Sequence, residues 1–286
     1  MHRLILFSLL YLCAVVEIAA ASPFRFTAIP DQNSARLAER FDKVAAYLSA
    51  ELRVNVEYVP VKSYGASVAA FKNDQVQLAW FGGLSGVQAR RAVPDSRAIA
   101  QGEEDLRFTS YFIARVQTGI VSGGEFPANI AGRTFTFGSK GSTSGRLMPE
   151  YFIRQHLQQA PDKVFRRVGF SGDHSKTLAL VQSGAYEVGA LNFKVWESEL
   201  AAGHVDTSKV QVIWQTPVYP DYNWTIRGDV DGKFGVGFAD KVQAALLAMK
   251  DPDLLASFPR SRFIPADNDL YAPILKTAIA IGLIEE

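Results

Sequence analysis

Apolar residues recur along this chain at two spacings, which alternate from one segment to the next. Short apolar or alternating runs predict β-strands, and runs with apolar residues three and four apart predict helices that bury one face. The clearest helical run begins at Ser34, a residue type that caps helices, and its apolar face carries Leu37, Phe41, Val44 and Leu48.

The same alternation extends over the rest of the sequence. It predicts strands at 24–29, 54–59, 76–81, 134–137, 165–168, 186–191 and 210–214, and helices at 34–52, 65–72, 145–157, 173–182, 194–202, 239–249 and 271–283. A repeated order of strand, helix and strand predicts parallel sheets covered by helices, which is the α/β class. In such sheets ligands bind beyond the carboxyl ends of the strands, where helices begin.

One strand-to-helix junction, in FTFGSKGSTSGRLMPEYF (135–152), is rich in small and hydroxyl residues. Gly138 and Gly141 turn the chain, and Ser142, Thr143 and Ser144 come where the helix begins. Unpaired backbone N–H groups and the helix dipole favour an anion at such a position, and hydroxyls add donors. Ordinary helix capping by Ser or Thr explains the same residues equally well.

Enzymatic interpretations of this loop fail in detail. A phosphate-binding P-loop needs G-x-x-x-x-G-K-[ST], but Thr143 stands five places after Gly138 and Arg146 follows Gly145. A nucleophile elbow needs G-x-S-x-G, and here Thr143 occupies the nucleophile position. The loop is therefore suited to holding an anion and not to reacting with it.

The first residues predict the compartment. Arg3 precedes an apolar run over 4–16, and an Ala-x-Ala pattern ends at Ala21, which is typical of a secretory signal peptide over 1–21. The apolar run has about 13 residues, fewer than the ~20 that a spanning helix needs. A lipoprotein signal at Cys13 is an alternative that the preceding Leu12 disfavours. We expect export to the periplasm.

Composition narrows the chemistry further. Cys13 is the single cysteine of the 286 residues, so the exported chain has no disulfide, thiolate metal site or cysteine nucleophile. The remaining length suits two domains. A formal net charge of +1 gives no sign of a nucleic-acid-binding surface. We expect no metal, no organic cofactor and no nucleic-acid partner.

Four segments carry a family resemblance: VKSYGASVAAFKNDQVQLAWFGGLSGVQA (61–89), GRTFTFGSKGSTSGRLMPEYF (132–152), GDHSKTLALVQSGAYEVGALN (172–192) and VIWQTPVYPDYNW (212–224). They resemble the phosphonate/phosphite/phosphate-binding proteins of bacterial ABC importers, and the likeness covers nearly all of the exported chain. The second segment is the most specific, since Ser-Thr-Ser at that helix start is the anion cradle of the family. AWFGG (79–83), EED (103–105) and LNFKVW (191–196) resemble the branch designated selenate-binding proteins.

The resemblance implies a type II periplasmic-binding-protein fold, in which two α/β lobes close over the ligand by a hinge motion. Lobe one would hold 24–110 and 226–286, and lobe two would hold 115–215. The hinge crossovers would lie at 110–115 and 216–225. We expect a monomer that delivers its ligand to an ABC permease in the inner membrane.

The resemblance also implies the ligand-binding residues: Tyr64, Phe81, Gly82, Thr109, Ser142, Thr143, Ser144, His174, Asn192 and Asp221. Tyr64 would reach the anion with its hydroxyl, although a surface aromatic would give the same sequence. Phe81 and Gly82 match the pocket floor, and Thr109 matches one of an aromatic pair near the hinge, where it offers a hydroxyl instead.

Three residues of this set favour particular ligand chemistry. His174 opens a predicted helix, where its N–H would donate to the ligand, whose charge would raise the pKa of the imidazole. Asn192 offers a neutral amide, which suits an ion with acceptors only, and Asp221 is a candidate acceptor. His2, His156 and His204 are expected to be structural.

These observations predict the exported substrate-binding component of an ABC importer for a small tetrahedral oxyanion. The expected order is a selenate-like or sulfate-like dianion, then phosphite or phosphate, then an alkylphosphonate. A sensory binding protein that presents the same oxyanion to a membrane sensor kinase is the alternative. An enzyme would need a nucleophile, and no nucleophile elbow accompanies His174.

Overall fold

A computed structural model describes residues 22–32 and 34–285, so the predicted signal peptide lies outside the described residues. The strands are β1 (Phe24–Ala28), β2 (Val56–Tyr58), β3 (Leu78–Phe81), β4 (Arg97–Gly102), β5 (Ser110–Arg115), β6 (Thr134–Phe137), β7 (Arg167–Phe170), β8 (Val188–Asn192), β9 (Val210–Gln215), β10 (Asn223–Ile226) and β11 (Phe263–Pro265). The α-helices are α1 (Ser34–Leu52), α2 (Tyr64–Lys72), α3 (Gly83–Ala92), α4 (Met148–Leu157), α5 (Pro161–Val164), α6 (His174–Ser183), α7 (Phe193–Ala201), α8 (Val230–Phe234), α9 (Phe238–Ala248), α10 (Pro252–Leu255) and α11 (Ala272–Ala280).

The strands form two sheets, and each sheet is the centre of one lobe. In the part of the chain that is described, the first sheet has the order β11-β4-β10-β3-β1-β2 and the second has the order β7-β6-β8-β5-β9. Both are mixed: β1 runs parallel to β2 and β3, and β6 runs parallel to β7 and β8, whereas β10 and β5 run antiparallel to their neighbours. The predicted α/β class is confirmed.

The chain crosses between the lobes twice. It leaves the first sheet after β4 and returns at β10, and the two crossing segments pair at Phe108 and Tyr219. These two residues exchange backbone hydrogen bonds of 2.9 and 3.0 Å. The sequence analysis placed 110–115 in a crossover, but this segment is β5, which pairs on both sides inside the second sheet. The first crossing is therefore the short segment before it.

Aromatic side chains fill the interior of lobe one around Trp224, which has no exposed surface. Its indole contacts Phe26, Trp80 and Phe258, with ring centroids 5.5–5.7 Å apart. Rings of this size bury large apolar areas, and such pairs add about 0.5–1.5 kcal/mol beyond that burial. Because Trp224 comes from the returning segment, this cluster joins the C-terminal part of the chain to lobe one.

The carboxyl ends of β1, β3, β6 and β8 meet where the two lobes face each other, and hydrogen bonds join the lobes there. The backbone N–H of Leu84, in lobe one, donates to Thr143 Oγ1 in lobe two at 3.0 Å. The backbone N–H of His174 donates to the carbonyl oxygen of Asp31 at 3.0 Å. The two lobes thus contact each other at the carboxyl ends of these strands.

Within 22–32 and 34–285, no helix is long and apolar enough to cross a membrane. In the same residues no group of three or more histidine, cysteine, aspartate or glutamate side chains is arranged to hold a metal ion.

Candidate functional site

The Ser-Thr-Ser loop forms a wide π-helical turn (Thr143–Leu147) that leads into α4. Its defining bond runs from the Leu147 N–H to the carbonyl oxygen of Ser142 at 3.0 Å, and the Ser142 Oγ accepts from the Gly145 N–H at 2.9 Å. Ser142 therefore does cap this turn, as the plainer alternative proposed. A hydroxyl that accepts in this way keeps its own hydrogen to donate. Turns of this kind occur frequently at functional sites.

The other two hydroxyls of the loop are also buried, and each faces a different neighbour. Thr143 Oγ1 accepts from the Leu84 N–H across the cleft and lies beside the carboxyl group of Asp221. Ser144 lies beside the phenol of Tyr219, a residue of the returning crossover. The loop thus contacts lobe one, the hinge and the interior of the cleft.

His174 is the first residue of α6 and is fully buried. Its Nδ1 accepts a hydrogen bond from the Asn192 backbone N–H at 3.2 Å, which places the ring proton on Nε2. The Nε2 atom is buried and has no partner among the described residues. Burial lowers the pKa of His174 to about 3, so the imidazole is neutral here and Nε2–H is a free donor.

Two glycines give the imidazole its place beside the Ser-Thr-Ser loop. A Cβ at Gly145 would lie 2.9 Å from His174 Cε1 and 3.1 Å from Ser142 Oγ, and a Cβ at Gly138 would lie 3.6 Å from His174 Nδ1. Any larger residue at 145 would push the ring away from the loop. The glycines of this loop, noted in the sequence only as turn formers, therefore bring His174 and Ser142 together.

Tyr64 supplies a second buried donor, from the opposite lobe. It is the first residue of α2, whose cap is Ser63, and a Cβ at Gly141 would lie 3.1 Å from the Tyr64 Cβ. The phenol oxygen is buried and makes no well-aligned hydrogen bond in the described part of the chain, although the Ser142 hydroxyl lies beside it. Burial holds the pKa of Tyr64 well above its usual range, and the carboxylates of Asp31 and Asp221 raise it further. The phenol therefore keeps its proton.

Asp221 faces the same space from the returning crossover. Its Oδ1 accepts from the Gly83 N–H at 2.8 Å, but its Oδ2 is buried and has no partner among the described residues. A Cβ at Gly82 would lie 3.2 Å from Oδ1, so this glycine allows the close approach. Burial raises the pKa of Asp221 to about 7, although the Gly83 N–H and the Thr143 hydroxyl oppose the shift.

Tyr64, His174 and Asp221 thus bring two donors and one carboxyl oxygen to the surroundings of the Ser-Thr-Ser loop. No described hydrogen bond satisfies any of the three atoms. A buried polar atom without a partner costs about 1–3 kcal/mol, so three together indicate a missing ligand. The guanidinium of Arg260, buried in the hinge, is held by both oxygens of Asp105 at 2.7 and 2.8 Å.

Asn192 has different contacts from those the sequence predicted. Its Oδ1 accepts from the Lys194 and Val195 N–H groups at 2.7 and 3.3 Å, so the side chain caps α7. Its Nδ2 donates to the Tyr222 hydroxyl at 2.9 Å. The amide that was expected to face an acceptor-only ion is therefore used for capping and for a bond across the cleft.

Two further residues of the predicted set lie apart from the three unpartnered atoms. The Phe81 ring is fully buried in lobe one, 5.7 Å from the ring of Phe71 in an edge-to-face contact. Thr109 is half-buried in the first crossover, and within the described residues its hydroxyl makes no hydrogen bond to the cluster. Neither observation supports a ligand contact by the Phe81 or Thr109 side chain.

The sequence analysis missed two residues that the structure brings to the cleft. Asp31 follows the carboxyl end of β1, and its Oδ2 accepts from the Tyr222 hydroxyl at 2.9 Å. The rule that places ligands beyond strand ends could have found Asp31. Tyr222 lies beside Asp221 but has no distinguishing pattern, because its role depends on partners from both lobes.

Comparison with known proteins identifies the family. The profile of the family described as "ABC transporter, phosphonate, periplasmic substrate-binding protein" matches residues 26–271. The chain belongs to this family. Members are substrate-binding components of ABC transporters, so the protein is a periplasmic binding protein and not an enzyme.

Individual relatives support the assignment over most of the length. The chain is 41% identical, over 254 residues, to a probable ABC transporter phosphite binding protein, PhnD1, of Prochlorococcus marinus, and covers 86% of both sequences. The structure of PhnD1 in complex with methylphosphonate superposes with a TM-score of 0.87 at 40% identity, over 91% of this chain and 98% of that one.

A more distant structure shows the shared fold. A binding protein component of an ABC phosphonate transporter from Pseudomonas aeruginosa gives a TM-score of 0.79 at 21% identity, over 90% of this chain and 86% of that one. Together with PhnD1, it confirms the predicted two-lobe periplasmic-binding-protein fold.

Proposed function

We propose that this binding protein captures a small phosphorus oxyanion that carries one proton, such as phosphite or methylphosphonate, and delivers it to an ABC permease. The similarity to PhnD1 supports the ligand class, since PhnD1 is described as a probable phosphite binding protein and was solved with methylphosphonate. Within this class, we favour an oxyanion that carries a proton because Oδ2 of Asp221 has no partner among the described residues.

The donors of the site suit any oxyanion and do not distinguish one oxyanion from another. Tyr64 OH and His174 Nε2–H are neutral, as are the hydroxyls of Ser142 and Ser144, and each would donate to a ligand oxygen. Hydrogen bonds to a charged group contribute about 1.5–3 kcal/mol each. Four such donors hold an anion without a cationic side chain, as the Ser-Thr-Ser loop predicted.

Asp221 adds a requirement for a proton. An ionised carboxylate about 4 Å from one unit of charge repels it by about 4 kcal/mol at an effective dielectric of 20. A proton between the two oxygens replaces this repulsion with a charge-assisted hydrogen bond. A ligand with a P–OH group brings that proton with it, whereas sulfate and selenate bring none and depend on protonation of Asp221 itself.

The repulsion between Asp221 and an anion without a proton reverses the order of ions expected from the sequence. That order put a selenate-like dianion first. That order depended on an Asn192 amide facing the ligand, and in the structure the amide caps α7 and bonds Tyr222. The carboxyl group with a free oxygen is instead Asp221. A phosphorus oxyanion that carries a proton therefore comes before selenate and sulfate.

Calorimetric titration with phosphite, methylphosphonate, phosphate, sulfate and selenate tests the proposal, using the exported chain and its Asp221→Asn variant. We expect the phosphorus ligands to bind the wild-type protein more tightly. The variant presents an amide donor in place of Oδ2, so its relative affinity should move at least about tenfold toward sulfate and selenate. If none of the five ions binds, or if sulfate and selenate bind the wild-type protein most tightly, the proposal is wrong.

A further inference from the structure

A chain of hydrogen bonds joins the two lobes directly beside the ligand site. Its centre is the Tyr222 hydroxyl, which donates to Asp31 Oδ2 at 2.9 Å and accepts from Asn192 Nδ2 at 2.9 Å. Asp31 and Tyr222 belong to lobe one, because they flank β1 and β10 of the first sheet, whereas Asn192 ends β8 of the second. All three side chains are buried.

Two backbone bonds extend this chain to the ligand-facing histidine. The His174 N–H donates to the carbonyl oxygen of Asp31, and the Asn192 N–H donates to His174 Nδ1. The four residues therefore form one connected group across the cleft. The bond from Asn192 fixes the tautomer that leaves Nε2–H free for the ligand.

The direction of each bond is fixed by its neighbours. Asn192 Oδ1 is occupied by two N–H groups of α7, so the Nδ2 of the amide must point to Tyr222. The Asp31 carboxylate can only accept when ionised, so the phenol proton points to Asp31 and a lone pair faces Asn192. The Asp31–Tyr222 pair lies within lobe one and is ready before the lobes meet.

We propose that Asp31, Tyr222 and Asn192 form an interlobe latch, which stabilises the closed form and positions His174 as a donor. They are positioning residues that need not touch the ligand. The latch rests on the proposed function only for the identity of the ligand that His174 meets, since all of its own bonds join protein atoms.

Tyr222→Phe removes the central hydroxyl with little change of shape. Tyr271→Phe is the matched control, because among the described residues both acceptors that share this buried phenol's hydrogen, Gln101 Oε1 and the Tyr222 carbonyl oxygen, belong to lobe one. Both variants are checked first by thermal unfolding. Spin labels on Lys43→Cys and Lys163→Cys, two exposed positions in different lobes, then report the interlobe distance with and without methylphosphonate.

Loss of the latch should shift the balance from closed to open by about tenfold in Tyr222→Phe and should speed methylphosphonate dissociation by a similar factor. Tyr271→Phe should match the wild-type protein in both respects. Equal closed fractions and dissociation rates in all three proteins would overturn the latch. If the wild-type chain binds no oxyanion, the proposed function fails, and the unliganded closed fractions alone decide the latch.

Asn192→Asp provides an independent test, because it keeps the cap of α7 but turns a donor toward Tyr222 into an acceptor. The phenol would then face two carboxylates with one proton. Affinity for phosphite, methylphosphonate and sulfate should fall by a common factor of about ten or more. A loss confined to the sulfate-like ions would instead assign Asn192 to the ligand and contradict the latch.

Discussion

Two carboxyl groups lie next to each other under the cleft, and their surroundings differ completely. Asp105, in the hinge, has both oxygens bonded to the guanidinium of Arg260. Asp221, whose N–H donates to the carbonyl oxygen of Asp105 at 3.0 Å, keeps an oxygen without a partner. One carboxylate has both oxygens paired within the fold and the other does not, so pairing separates the structural residue from the proposed ligand-binding one.

The pKa values show the same difference. Burial raises the pKa of Asp105, but the Arg260 guanidinium opposes the shift strongly by charge and hydrogen bonding. Burial raises the pKa of Asp221 to about 7, where only neutral groups bond to it directly. A carboxyl group of this kind is poised near neutral pH to share a proton with a ligand.

The largest expected effect comes from breaking the satisfied pair. Arg260→Met leaves Asp105 charged, buried and alone, which costs about 3–5 kcal/mol of unfolding free energy. For a chain of this size the melting temperature should fall by roughly 6–20 °C, as measured by scanning calorimetry. The guanidinium also lies over the rings of Tyr222 and Phe108, at 5.0 and 5.3 Å, so some packing is lost as well.

Arg262→Met is the matched control for this experiment. Arg262 pairs with Glu103, but both side chains are about half exposed. Exposed pairs contribute about 0–1 kcal/mol, so the melting temperature should change by no more than about 4 °C. Equal decreases of the melting temperature in Arg260→Met and Arg262→Met would show that burial does not make the Arg260–Asp105 pair more important than the Arg262–Glu103 pair.

Removing the charge of the unsatisfied carboxyl should have the opposite effect on stability. Asp221→Asn should stabilise the unliganded protein at pH 8 by up to about 4 kcal/mol, because the wild-type carboxylate is ionised and buried there and its Oδ2 has no described hydrogen bond. The folded pKa lies above the unfolded one, so this penalty is full above about pH 7 and disappears below about pH 4. Melting curves at pH 8 and pH 5 measure the trend, and a variant less stable than wild type at pH 8 would refute it.

Ser142→Ala tests the loop that lies beside Asp221. Loss of one hydrogen bond to a charged ligand should weaken methylphosphonate binding by about ten- to hundredfold, or 1.5–3 kcal/mol. The missing cap should lower stability by about 1 kcal/mol. Asp251→Ala removes a cap from α10, remote from the cleft, and should cost stability without changing affinity. Unchanged affinity in Ser142→Ala would mean that Ser142 only caps the turn and does not bind the ligand.

The sequence predicted the fold and part of the site well, because both depend on local patterns. The helix 34–52 has the predicted bounds, and the Ser-Thr-Ser loop lies at the end of β6 where the pattern put it. Helix α3 was missed, since three of its first four residues, Gly83, Ser85 and Gly86, are poor helix formers. Strands β10 and β11 were missed because they are short and pair with distant segments.

The contacts of the site could not be read from the sequence, because they depend on which atoms are already satisfied. Asn192 was expected to face the ligand, but its amide is used by α7 and Tyr222. Asp221 was only a candidate acceptor, and its importance rests on one oxygen that the fold leaves unpaired. Such pairings join residues far apart in the chain.

The most direct test of the account is the number of protons exchanged on binding. At pH 8.5 free methylphosphonate is mostly a dianion and Asp221 is mostly ionised, yet the complex should hold one proton between them. Calorimetric titrations in two buffers with different ionisation enthalpies should show uptake of about one proton per ligand by the wild-type protein. Asp221→Asn should take up almost none. No uptake by the wild-type protein, or equal uptake by both proteins, would contradict the central role of Asp221.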